Sequence, residues 1–127
     1  MRQALSYGMS VLLLSVAVPA AADWGGYAVY PGSYDWAYSA GWDSKSNARQ
    51  RALSHCSKNA GGGKRCKVVL LTRKCGGLAR GQSQGKPQFY AAEASSRDTA
   101  AKQALAQCSS ALGASCEIRH RFCANDL

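Results

Sequence analysis

Acidic residues are scarce in this 127-residue chain: seven Asp and Glu stand against sixteen Lys and Arg, for a formal net charge of +9. No acid lies between Asp43 and Glu93, an interval that holds eleven Lys and Arg. Hydrolysis by paired carboxylates needs two acids facing each other across a cleft, and Asp35 with Glu93 is the one pair on comparable segments. Histidines are limited to His55 and His120, and no C-x-x-C occurs, which removes the usual zinc spacings. There is no G-x-S-x-G elbow. The glycines before Lys64 do not make a P-loop, because Arg65 follows the lysine and position 58 holds Lys. Neither an enzyme, a cofactor nor a metal is expected.

Long apolar runs are also missing, apart from Met9–Val18 near the start. That run is too short to span a bilayer, which takes about 20 residues. It follows Met1-Arg2 and leads into Pro19-Ala20-Ala21-Ala22, the small-residue pattern of a cleaved export signal. Residues 1–22 therefore read as a signal peptide and residues 23–127 as one domain, with no anchor left after cleavage. All six cysteines (Cys56, Cys66, Cys75, Cys108, Cys116 and Cys123) lie beyond the cut. An even count in a short exported chain reads as a disulfide framework.

What is present is a sequence that repeats itself. At a shift of 52, Ser44, Ala48, Ala52, Leu53 and Cys56 meet Ser96, Ala100, Ala104, Leu105 and Cys108, and Tyr38 and Ala40 meet Tyr90 and Ala92. Gly25-Gly26-Tyr27-Ala28 echoes Gly76-Gly77-Leu78-Ala79 at a shift of 51. Each copy (about 24–75 and 76–123) reads as strand, strand, helix, strand. In the first, strands 26–30 and 34–40 flank Pro31-Gly32-Ser33, which suits a type II turn. Ser44 caps a helix through Cys56, and Lys67–Thr72 is an interior strand. In the second, strands 78–80 and 88–92 are separated by a polar loop, 81–87. Ser96 caps a helix to Cys108, and Cys116–Phe122 alternates, with Cys116, Ile118, His120 and Phe122 on one face. The expected fold is α+β: two pseudo-symmetric halves around one disulfide-stapled sheet or open barrel, with two helices. Spacing alone does not select among the pairings that six cysteines permit. The repeat favours Cys56–Cys66 and Cys108–Cys116 as local staples, with Cys75 and Cys123 joining the halves.

The Ala-x-x-x-Ala-Leu-x-x-Cys helix (Ala48, Ala52, Leu53, Cys56), the Cys66–Val69 strand and Cys75-Gly76-Gly77-Leu78-Ala79 follow an aromatic hairpin. In that order they resemble the bacterial domain of unknown function 4189 family of small secreted proteins, over about residues 24–123. The resemblance implies export, disulfides and a compact α/β unit. It carries no established catalytic residues.

Two surfaces are candidates for binding. Seven aromatics crowd into residues 24–42, and Tyr34, Trp36 and Tyr38 alternate so as to share a strand face. They read either as a stacking platform for glycan rings or as core packing and cross-strand pairs. Lys64, Arg65 and Lys67 border the glycine run and read as an anion-contacting loop or as a solvated surface. The two histidines read as structural. The functional expectation is an exported, non-enzymatic binding module of the bacterial envelope or extracellular space. Its partner would be an anionic envelope component or a protein, and an intracellular nucleic acid is not expected. The alternatives are a periplasmic inhibitor or immunity protein against a toxin or cell-wall hydrolase, and an uncharacterised envelope enzyme.

Overall fold

The computed structural model describes residues 23–62, 65–113 and 115–126, so the signal-peptide reading and Lys64 lie outside the described residues. The element order is β1 (Trp24–Val29), β2 (Trp36–Trp42), α1 (Lys45–Asn59), β3 (Lys67–Thr72), β4 (Cys75–Ser83), β5 (Lys86–Ala94), α2 (Arg97–Leu112) and β6 (Glu117–Cys123). This is the strand, strand, helix, strand plan twice over. The strands form two antiparallel sheets of three, ordered β2-β1-β3 and β5-β4-β6, rather than one continuous sheet. No helix among the described residues is long and apolar enough to cross a membrane.

Capping starts both helices where the sequence places them. Ser44 accepts from the amide of Asn47 at 3.0 Å, and Ser96 from that of Thr99 at 3.2 Å, satisfying donors that the first turn leaves open. Each helix buries a row of small side chains: Ala48, Ala52 and Cys56 in α1, and Ala100, Ala101, Ala104 and Cys108 in α2. Those rows let the helix backbone reach the sheet. At Gly77 a Cβ would stand 2.5 Å from the backbone of Ala100 and Ala101, so α2 rests on the β4 main chain itself.

The other sheet faces pack together through Tyr27, Leu78 and Phe122, with Trp36, Leu70 and Phe89 around them. The layers therefore run helix, sheet, sheet, helix. Few large aliphatic residues are available, so aromatic rings fill the middle. Tyr27 and Phe122 meet edge to face with centroids 5.0 Å apart, a favoured aromatic geometry.

All six cysteines are bonded, as Cys56–Cys66, Cys108–Cys116 and Cys75–Cys123. The first two tie each helix end to the strand that returns from it. The third differs from the sequence expectation in its place. Cys75 opens β4 and pairs directly with Cys123 of β6, so this bond closes the second sheet and does not join the halves. The halves are joined by the ring-filled core and by the Thr72 hydroxyl, which donates to Glu93 at 2.7 Å.

Three further expectations shift. The segment 81–87 is mostly strand, because Ser83 pairs with Lys86 around Gln84 and Gly85, both with positive φ. A two-residue turn of that kind matches strand twist, and Pro87 is tolerated because β5 is an edge strand. Tyr38 and Tyr90 are not equivalent positions. Tyr27 pairs with Tyr38 and Leu78 with Ala91, because β2 carries one extra residue near Gly41, whose φ is 75°. Tyr38 therefore points between the sheets, whereas Tyr90 packs beneath α2. Finally, the alternation along β6 breaks at a register shift. His120 and Phe122 turn inward, while Ile118 is 43% exposed.

Replacing Gly77 by Val should lower unfolding free energy by about 1–3 kcal/mol through overpacking. Urea denaturation reads this directly, and an unchanged midpoint would mean that α2 does not sit on β4 as described.

Candidate functional site

The outer edge of β2 borders a depression of about 650 Å³. Tyr34, Asp35, Trp36 and Tyr38 supply one side, and His55 and Asn59 of α1 supply the other. Local sequence sets this up. Pro31 and Gly32 (φ 77°) make the turn closed by the Ser33 amide on the Tyr30 carbonyl at 3.1 Å, as a type II turn requires. Ser33 Oγ donates to Asp35 Oδ2 at 3.3 Å and accepts from the Asp35 amide at 3.1 Å. Asn59 Nδ2 donates to the Trp36 carbonyl at 2.8 Å, which pins the end of α1 to the strand edge.

Of the three aromatics read as one face, only Trp36 and Tyr38 lie on β2, because the strand begins at Trp36. Tyr34 precedes it and is 51% exposed, yet it is held from the other half of the molecule. The Arg80 guanidinium stacks 4.7 Å from its ring, and Gln82 Nε2 donates to its hydroxyl at 2.8 Å. Tyr38 is 42% exposed and lies 4.3 Å from the His120 ring. Trp36 is half-buried against the inter-sheet core. The two readings of these aromatics thus divide along the strand: Trp36 serves the core, while Tyr34 and Tyr38 offer fixed ring surface to solvent.

The basic loop lies elsewhere. Arg65 and Lys67 are exposed beside β3, and Val29 of β1 pairs with Lys67 on one side and Trp36 on the other. That puts Lys67 about 10 Å of sheet from the aromatic edge. Asp35 and Glu93 are not brought together either, since Asp35 engages Ser33 and Glu93 engages Thr72 at the opposite edge of that sheet. His55 and Asn59 carried no signal as ligand residues in the sequence. Their four-residue spacing, which puts them on one helix face, is the feature that could have found them.

The family model described as Domain of unknown function (DUF4189) matches residues 24–123. The chain belongs to this family. No curated protein and no solved structure matches it.

Behind the edge, this DUF4189 domain holds a polar pair inside its aromatic core. Tyr27 Oη is 3.0 Å from His120 Nδ1 and 3.4 Å from the Gly76 carbonyl. Burial, reinforced by Tyr38, pushes the Tyr27 phenol far up, so it stays protonated. Burial also lowers the His120 pKa from its usual 6.5, against a smaller opposing pull from Asp126. The folded state therefore favours neutral imidazole. Between the folded pKa and 6.5 the unfolded chain binds more protons, so stability must fall as pH drops through that window. Thermal melts at pH 7.5 and 5.5 should show a lower Tm at the acid value. The difference should shrink in His120→Gln, and an equal acid shift in that variant would remove His120 as its source.

Proposed function

We propose that this chain is an exported, non-enzymatic binding module that takes a glycan at the β2 edge. The observation that carries the reading is the pair of exposed rings, Tyr34 and Tyr38, each already immobilised before any ligand arrives. Rings fixed in advance lose little entropy on binding. Their flat apolar faces suit the C–H faces of sugar rings, and Asp35, His55 and Asn59 beside them offer hydrogen-bonding groups for hydroxyls. Complete pairing of the cysteines supports an oxidising compartment, as does the leader read in residues 1–22. The cationic balance favours the anionic surroundings of a cell envelope.

The test is retention of the purified 23–127 chain on insoluble cell-wall glycan and on chitin. The wild type should be retained on at least one, and Tyr34→Ala should weaken binding about tenfold, equivalent to 1.4 kcal/mol. Tyr34 lies outside the core, so the variant should melt like the wild type. Passage of the wild type through both supports contradicts the reading. Capture of a single envelope hydrolase in its place would favour the inhibitor alternative.

A further inference from the structure

A second depression, of about 440 Å³, is lined by Trp42 of β2 and by Asn47, Gln50, Arg51 and Ser54 of α1. Strand and helix run side by side between the two. The Ser39 hydroxyl donates to the Ala48 carbonyl at 2.7 Å, Ala37 packs against Ala52, and Asn59 holds the Trp36 carbonyl. Along α1, Asn47, Arg51, His55 and Asn59 follow one another at four-residue intervals, all of them exposed. Side chains at that spacing stack on one helix face. The two depressions share no lining residue but lie toward opposite ends of one groove-like strip, bordered by this polar row and by the β2 edge. Its length is that of the strand, about 20 Å at 3.3 Å per residue.

The groove is charged unevenly. At one end stands the Asp35 carboxylate. At the other, the Arg51 guanidinium lies 4.7 Å over the Trp42 ring. Among the described residues Arg51 has no acidic partner, and the ion pairs (Arg80–Glu117, Arg119–Glu117, Arg97–Asp126 and Arg121–Asp98) all belong to the second half. Asp43, next to Trp42 in sequence, accepts from the Asn47 side-chain amide at 3.0 Å. A guanidinium parked on an indole has already lost much of its rotamer freedom, while its fork of N–H donors stays available for an oxyanion.

We infer that this groove selects acidic glycans, with the sugar rings on Tyr34 and Tyr38 and a carboxylate or phosphate substituent taken by Arg51 at the Trp42 end. The inference rests on the glycan reading above and adds the ligand's charge and its direction in the groove. Asp35 repels the anionic group from the aromatic end, so the chain lies one way round.

The experiment compares binding of polygalacturonate, its fully methyl-esterified form and a phosphorylated mannan to wild type, Arg51→Gln, Arg49→Gln and Tyr34→Ala. Wild type should bind one of the acidic polymers at least tenfold more tightly than the neutral ester, and which one does so identifies the oxyanion. Arg51→Gln should abolish that preference, bringing the affinity for the acidic polymer down to that for the ester. Arg49→Gln removes the same charge from α1 outside the row and should retain the preference. Equal binding of ester and acid, weakened throughout by Tyr34→Ala, overturns the inference while leaving the glycan reading intact. Equal losses in Arg49→Gln and Arg51→Gln reduce it to net charge and overturn it likewise. Failure of wild type to bind any of the polymers or the insoluble glycans overturns both.

Discussion

Each helix in this molecule lies close to its sheet along a central row of small side chains, with larger ones around that row, and the rest of the structure depends on that spacing. Ala48, Ala52 and Cys56 on one helix and Ala100, Ala101, Ala104 and Cys108 on the other form the contact rows. Alanine buries little apolar area, so such rows contribute modestly to stability. The disulfides Cys56–Cys66 and Cys108–Cys116 compensate by tying each helix end to its returning strand. Tyr30, Leu53 and Val68 pack around the first row and Tyr90, Leu105 and Leu112 around the second, while the rings of Tyr27, Phe122 and Trp36 lie between the sheets. The edge of β2, which divides that ring-filled layer from α1, is where aromatic surface reaches solvent.

The halves share more than element order. Each carries a register shift at the matching point of its central strand, between Tyr27 and Ala28 against β3 and between Leu78 and Ala79 against β6. Their differences are informative because the frame is the same. In the second half Cys75 and Cys123 pair across β4 and β6. The register of the first half puts Trp24 opposite Arg73, and there the guanidinium stacks 4.9 Å over the indole. A cation–π contact thus stands where the other sheet has a covalent bond. The second half has a depression at Tyr90, Gln107 and Ala111, but its counterpart to the Arg51 end lacks the same chemistry. The positions matching Trp42 and Arg51 are Ala94 and Gln103, which offer neither ring nor charge.

Much of this was legible in the sequence, for local reasons. Ser44 and Ser96 announce helix starts because a capping hydroxyl acts within three residues. The cysteine partners follow once each helix and its returning strand are placed. The family match over residues 24–123 agrees with the order of cysteines and glycines. What was hidden depends on backbone irregularities that shift register. One extra residue near Gly41 separates Tyr38 from Tyr90 in role, although the two align by identity. Gln84, the one described non-glycine residue with positive φ, makes a tight turn in what reads as a polar loop. Tyr34 belongs to the aromatic edge through Arg80 and Gln82, forty-odd residues away, and no local pattern encodes that contact. The row from Asn47 to Asn59 was present as a spacing, but it becomes a wall only when β2 lies beside it.

The candidate site depends on α1 being locked to β2 as one rigid unit. Amide hydrogen exchange of the oxidised protein measures this most directly, because local openings and global unfolding give separable free energies. The amides of Ala52, Leu53 and Cys56 should exchange only through global unfolding, as slowly as those of Tyr27 and Leu78 in the central strands. Exchange of the α1 amides through a lower-energy opening, with the sheets still protected, would show a helix that detaches on its own and a groove without a fixed wall.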